Sequence, residues 1–430
     1  MHPVPNELVE CILENLYSDK ATLRNCALVG RAWAPASQRG IFQHITLKFP
    51  RRSKGENADD YLSGNSRLLA LFDETPPLAS YIRSLELRHF EAESWESMAH
   101  VQAVHASTAE VVCRLSRVDE LSLWSFDWDT LSPVLRLALT NMLNGPAVTR
   151  VSLEFLYINK FAELESFLSH ATHLKALRLG TMMRRWDAAF PPVFKYLTYY
   201  PSPPLSLRSP GFASSAGSDT SSTPSSAIQL NQLVLQLDDI PFIPSITDWL
   251  QQETCPYDIS HLRSLGILYR QQDHQRVNLL LQYVGASLRE LRLLGLVARQ
   301  PSNVDVFCLG YTPNLNILMV QVVQNDAWTP VVWIQSLLES FLGYAQISCP
   351  LQQLTVKLYV DSLDPLQTPQ WDQWGPFDAL LEKPQFASLR MVYIMVVARD
   401  PTASGVVELL SGKLLYLKRS EKLNVTFALN

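Results

Sequence analysis

The sequence predicts an α/β protein in which a short all-helical module, residues 1–48, is followed across a polar linker, 49–64, by an irregular solenoid with a parallel strand face, 65–430. Three patterns predict it. Apolar side chains in the first fifty residues recur at the three-to-four-residue step of short amphipathic helices. From Ile82 onward, a phrase with apolar residues at its first, fourth and sixth positions returns repeatedly, and the segments between copies carry helical spacing.

Length and composition frame this reading. At 430 residues the chain exceeds the size at which one compact core keeps growing, so several domains or an elongated repeat are expected. Apolar residues make up 47% and charged residues 18%, and a formal net charge of -5 with a pI of about 6.0 gives no bulk attraction to nucleic acid or anionic membrane, so neither is expected as a partner. Cys11, Cys26, Cys113, Cys255, Cys308 and Cys349 are scattered, without a CxxC pair or a histidine at zinc-ligand spacing. They read as small buried side chains, and no metal or cofactor is expected. The amino terminus lacks the basic and apolar regions of a signal peptide, and no run of about 18 apolar residues is present to span a bilayer. A reducing cytoplasmic and/or nuclear compartment follows as the expectation, under which Asn424-Val425-Thr426 matches the glycosylation sequon by chance.

In the first module, Leu8, Val9, Ile12, Leu16 and Leu23, then Cys26, Ala27, Val29, Ala32 and Trp33, suit two or three short helices. Pro5-Asn6 offers a start signal, with Asn6 as a capping side chain and Glu7 favourably placed in the first turn. Ser18-Asp19 breaks the pattern and offers the cap for a second helix near Lys20. So small a unit has too little interior to bury Leu8, Ile12, Leu16, Leu23, Leu28, Val29 and Trp33 together. Part of the stripe must face either a partner or the rest of this chain.

The ordered elements Pro5-x-Glu7-Leu8-Val9-x-x-Ile12-Leu13-x-x-Leu16, Leu23-Arg24-x-Cys26-Ala27-Leu28-Val29-x-Arg31-Ala32-Trp33 and Ile41-Phe42 resemble the F-box, in particular that of F-box proteins of basidiomycete fungi. Val4 stands where the family usually has leucine and Phe42 where tryptophan is common, both apolar exchanges. The resemblance implies docking onto a Skp-type adaptor and, through it, a cullin, with Val4, Pro5, Leu8, Ile12, Leu28, Val29 and Trp33 as the adaptor-binding residues. Trp33 has two readings: an interface hot spot worth about 2 kcal/mol or more on truncation, or a core residue that holds the helices together.

The repeated phrase begins with Ile82, Leu85 and Leu87, then Val118, Leu121 and Leu123, and Val148, Val151 and Leu153. It continues through Leu177, Leu233, Leu265, Leu291, Leu318, Leu354 and Val392 at its fourth position, with a looser last copy at Leu423, Val425 and Phe427. This L-x-x-L-x-L pattern suits a short strand with alternate side chains pointing into a stacked core, and it is the signature of leucine-rich repeats. Helical returns are expected between the strands, for instance at 131–143, 161–168, 277–284, 332–344 and 406–417. Apart from the longest gap, Leu177 to Leu233, copies lie about 26 to 38 residues apart, longer than the usual repeat, so the array is leucine-rich-repeat-like and irregular. Where a ladder-forming Asn or Cys normally follows the strand, this chain has Phe90, Phe126, Leu156, Met182, Leu296 and Val323. The turn must then satisfy its backbone in another way. A doubly wound α/β domain is the structural rival. The Ser/Pro/Gly-rich stretch at about 200–227 is too poor in large apolar residues to order itself and reads as a disordered insertion, with serines available for phosphorylation.

Residues flanking the inward leucines form the candidate reading surface, among them Glu86, Arg88, Glu154, Gln236, Gln321, Lys357 and Met395. Trp124, Arg178, Leu268, Arg292, Leu294, Met319 and Tyr393 are the target-binding candidates, with Trp124 and the apolar group Leu268, Leu294 and Met319 as anchors unless a helix or the long loop covers them. Catalytic signatures are missing: no GxSxG elbow, Walker loop, GxGxxG or HExxH. His170 and His173 have no third ligand nearby, and Arg51-Arg52-Ser53-Lys54 is a weak signal for nuclear import or anion contact, with a solvated linker as the default reading. With the resemblance, these readings imply a non-enzymatic substrate-recognition adaptor of an SCF (cullin-RING) E3 ubiquitin ligase, its solenoid gripping an unknown target protein. The alternative is an F-box scaffold that binds partners without directing degradation.

Overall fold

Each L-x-x-L-x-L phrase becomes a strand, and each helical-period segment between phrases becomes a return. The computed structural model describes residues 5–17, 19–51, 55–90, 98–158, 160–180, 182–183, 227–236, 242–252, 254–268, 274–296, 307–324, 330–342, 349–360, 369–398 and 405–429. The chain opens with helices α1 (Asn6–Glu14), α2 (Lys20–Val29) and α3 (Ala34–Phe42), followed by strand β1 (His44–Lys48). Then come α4 (Ala58–Glu74), α5 (Pro76–Tyr81), β2 (Ser84–Phe90), α6 (Met98–Arg114), β3 (Glu120–Asp127), α7 (Pro133–Asn144), β4 (Arg150–Tyr157), α8 (Phe161–Ser169), β5 (Ala176–Leu179) and the short β6 (Met182–Met183). Beyond these lie β7 (Ile228–Gln229), β8 (Gln232–Gln236), α9 (Phe242–Leu250), β9 (Tyr257–Asp258), β10 (Ser264–Leu268), α10 (His274–Val284), β11 (Glu290–Leu296) and β12 (Ile317–Gln324). The last elements are α11 (Pro330–Leu342), β13 (Gln353–Val360), α12 (Trp374–Glu382), β14 (Met391–Ala398), α13 (Gly405–Lys413), α14 (Leu415–Arg419) and β15 (Leu423–Leu429).

The fold class is α/β, built on one large, open, parallel sheet. Its strands follow one another in chain order, β1-β2-β3-β4-β5-β8-β10-β11-β12-β13-β14-β15, with β6 joined to β4 alone and β7 pairing β9 separately. A doubly wound sheet reverses its strand order at a switch point; this one never does. Neighbours stack without offset at the phrase itself, so Leu85 lies opposite Leu121, Leu265 opposite Leu291 and Leu354 opposite Val392. A backbone device sets that register. The Gln43 carbonyl accepts the N–H groups of both Arg83 and Ser84, the Arg83 carbonyl those of Asp119 and Glu120, and the arrangement repeats as far as Gln352 with Arg390 and Met391. Alternation does the rest: β13 buries Leu354, Val356, Leu358 and Val360 and leaves the residues between them half-buried on the opposite face. The buried row and the inward helix faces form one continuous core. Helix α7 shows how a return is specified, since Ser132 caps it through the Leu135 N–H at 3.4 Å, Pro133 opens it, and Leu135, Ala138, Leu139 and Leu143 pack inward.

At β2, β3 and β4 the alternation changes phase. His89, Ser125 and Phe155 have φ of 65°, 57° and 54°, a left-handed conformation that costs a non-glycine residue energy. One such residue per strand turns the next side chain back inward, so Phe90, Phe126 and Leu156 are buried. Simple alternation would put them outside. Phe49 meets Phe90 edge to face at 5.3 Å between centroids, and Phe90 lies tilted against Phe126 at 5.6 Å. His105 of α6 lies against Phe49 and Phe90, each 5.9 Å away, and its Nδ1 accepts the N–H of Ser132 at 3.1 Å. Burial pushes its pKa down from 6.5 to about 4.

Several boundaries differ from expectation. β1 pairs with β2, so residues 44–48 belong to the sheet and not to the helical module. The 49–64 linker is largely structured: Phe49 and Ala58 are buried, and α4 begins at Ala58, capped by Asn57, inside the span read as linker. Helices α6, α9 and α12 are further returns between strands, and residues 200–226 of the expected insertion lie outside the described residues.

Two measurements check this core. Phe126→Ala is expected to cost about 3–5 kcal/mol in denaturant unfolding, because the surrounding rings cannot close the space. For His105, a folded pKa below the unfolded one means that the unfolded chain binds the extra proton, so its contribution is present above about pH 6.5 and lost as pH falls toward 4. The loss is on the order of 3 kcal/mol over that window, and His105→Gln is expected to flatten the slope of stability against pH.

Candidate docking surfaces

The helical module divides its apolar residues into two sets. Val9 and Leu13, four apart on α1, join Leu23 and Ala36 in a small core separate from the main one, with Leu16, Tyr17, Cys26, Trp33 and Ile41 packed around it. Asp19 caps α2 by accepting the N–H groups of Ala21 and Thr22 at 3.1 Å and 3.0 Å, and the Thr22 hydroxyl adds a further bond that holds its carboxyl below the usual range. On α1 the cap position falls to Pro5, so Asn6 is the first helical residue and not the cap. Gly40 permits the close packing: a Cβ there would lie 2.5 Å from the Tyr17 ring and 2.8 Å from Leu23.

With that core complete, the other set remains outside. Leu8 is 54% exposed, Ile12 48%, Leu28 85% and Val29 68%, and Pro5 is exposed beside them in sequence. Single exposed leucines are ordinary; two apolar pairs on one small unit, with none of the described residues closing over them, are an unpartnered surface. Trp33 is half-buried against the small core, which favours the second of its two readings, and Val4 lies outside the described residues. The module is anchored to the sheet: α3 leads into β1, the Arg39 guanidinium lies 5.9 Å from the Tyr81 ring of α5, and Arg39 also pairs with Glu10 at 3.4 Å.

The outer sheet face carries the remaining candidates. Leu268 and Leu294 are opposite each other on β10 and β11, and Arg292 is opposite Met319 on β11 and β12, so these four share three neighbouring strands. Trp124 on β3 is four strand spacings from β10, about 19 Å, and Arg178 and Tyr393 stand on β5 and β14, apart from the group. All are half-buried among neighbours except Arg178, which is exposed and paired with Glu154 at 2.8 Å. Arg292 pairs with Glu290 at 2.6 Å. Trp124 is not a lone anchor. His89 and Phe155 meet it edge to face at 4.6 Å and 5.4 Å, and Arg88 lies 6.0 Å from its ring. Alternation alone would turn His89 and Phe155 inward, so no sequence signal placed them there. Val234, also unanticipated, is buried on this face because Gly266 beside it has no side chain to hold it off.

Among the described residues, no group of three His, Cys, Asp or Glu is arranged to hold a metal, and no helix is long and apolar enough to cross a membrane. His170 Nδ1 lies 2.6 Å from the Ser166 carbonyl within its own helix end. Cys255 and Cys349 are buried, burial raising both thiol pKa values, whereas Cys11 and Cys113 are exposed, contrary to the expectation for all six. No family model matches the chain, and no curated protein matches it.

The division of the module gives a direct contrast. Trp33→Ala is expected to destabilise it by about 2 kcal/mol, half the cost of a fully buried tryptophan. Leu28→Ala is expected to stay within about 0.5 kcal/mol, since that side chain is already in water. Calorimetric unfolding of the two variants checks both.

Proposed function

We propose that this protein is the substrate-recognition subunit of an SCF-type, cullin-RING ubiquitin ligase. In this reading the helical module is an F-box that binds a Skp-type adaptor, and the sheet with its helical returns is an irregular leucine-rich-repeat-like solenoid that binds a target protein. The observation that supports it is the exposure of Leu8, Ile12, Leu28 and Val29 on a module whose own core is already closed. Had Pro5, Val29 and Trp33 been sealed under the sheet, no docking face would remain. Helix-borne apolar pairs of this kind suit a helical partner, whose side chains would remove them from water.

The subunit itself would perform no bond chemistry. Its contribution would be to hold a target near the ubiquitin-carrying enzyme, raising the effective concentration of the target's lysines. That requires a connection between the two binding surfaces that does not swing freely. The run from α3 into β1, the pairing of β1 with β2 and the packing of Arg39 on Tyr81 supply one.

Tagged full-length chain is expected to co-purify a Skp-type adaptor and a cullin, and the double substitution Leu28→Asp with Val29→Asp to lower that capture by about tenfold or more while leaving the melting temperature unchanged. Capture of neither protein by the unaltered chain, or equal capture by the double variant, would remove the proposal. Accumulation of a captured target on deletion of residues before Phe49 distinguishes a degradation receptor from a scaffold.

A further inference from the structure

The residue immediately before the strand forms a row along one edge of the sheet, because its carbonyl is the one that accepts two N–H groups from the next segment. Along β5, β8, β10, β11 and β12 that row reads Lys175, Asn231, Arg263, Arg289 and Asn316, and no acid occurs in it. Arg263 and Arg289 are nearest neighbours, joined by the bond from the Arg289 N–H to the Arg263 carbonyl at 2.9 Å. A cavity of about 690 Å³ lies along this stretch, and Asn231, Arg263, Arg289, Asn316 and His261 line it.

Two like charges side by side on adjacent strands repel unless something compensates them. Elsewhere on the same edge this chain provides the compensation itself: Arg150 pairs with Asp119 at 3.0 Å and Glu120 at 3.2 Å. At Arg263 and Arg289 it does not. The nearest carboxylate by sequence, Glu290, is held by Arg292 at 2.6 Å, and Asp258 is occupied by the Ser260 N–H at 2.8 Å. Among the described residues neither guanidinium has a hydrogen-bond or ion-pair partner, and the side-chain amides of Asn231 and Asn316 on either side have none.

We infer that this cavity is a binding site for a phosphate monoester. Strand spacing puts the two guanidinium stems about 4.8 Å apart, close enough for both planar forks to engage one tetrahedral dianion through paired N–H bonds. The flanking amides add donors that a carboxylate, with two oxygens in one plane, would use less fully. The size of the cavity suits a small molecule, and the same group on a serine or threonine side chain would present the same oxygens. Nothing in this inference depends on the adaptor-binding reading.

Calorimetric titration of the full chain at fixed ionic strength tests it, with phenyl phosphate, a phosphoserine peptide and the same peptide unphosphorylated as probes. Saturable binding of either phosphorylated probe is expected, weakened by about tenfold or more in Arg263→Gln and in Arg289→Gln and unchanged in Arg83→Gln on the same edge. Tighter binding of phenyl phosphate would identify a small-molecule ligand, and tighter binding of the peptide a protein-borne one; both support the site. Coincident thermal melts establish that the variants fold. Binding that merely follows ionic strength, that is shared by the unphosphorylated peptide, or that survives both substitutions would overturn the inference.

Discussion

Unshifted parallel stacking of the strands is the constraint on which the rest of this molecule depends. From β1 to β14, a single carbonyl just before the strand that accepts two N–H groups from the next segment holds each copy of the phrase level with the last. With the register held, leucines meet leucines across the sheet and helices cover one face, while the other face keeps its half-buried polar and aromatic residues. A slip of one residue would exchange the two faces, so burial of the leucine rows and display of the opposite rows are consequences of the same bond pattern.

The helical module obeys a different economy. Val9, Leu13, Leu23 and Ala36 suffice to close its interior, and the neighbouring turns leave Leu8, Ile12, Leu28 and Val29 with no interior to enter. Its attachment to the sheet runs through α3, β1 and the Arg39–Tyr81 contact rather than through those side chains. The fold is thus complete without them, and their retention in water is a cost that a partner surface would relieve.

The sheet's exposed rows are not uniform. Toward its beginning, arginines have acidic partners and Trp124 is enclosed by His89 and Phe155; toward its middle, Arg263 and Arg289 stand together uncompensated. The left-handed residues of β2, β3 and β4 connect these features to packing. Each accepts backbone strain so that Phe90, Phe126 or Leu156 enters the core, and in doing so directs His89 or Phe155 toward the tryptophan.

Strand positions, the class of the fold and the apolar surplus of the first module were legible in the residues themselves, because periods of two and of three to four are local properties of a chain. The grouping of Leu268, Leu294 and Met319 followed from the repeat as well, since equal phrases stack in equal register. Other features required the tertiary structure. The phase change at His89, Ser125 and Phe155, the start of α4 at Ala58, the inclusion of β1 in the sheet and the juxtaposition of Arg263 with Arg289 all arise from contacts between distant segments. A period read along the chain records which face a residue prefers, whereas neighbours across strands decide which preferences are met and which charges are left without a partner.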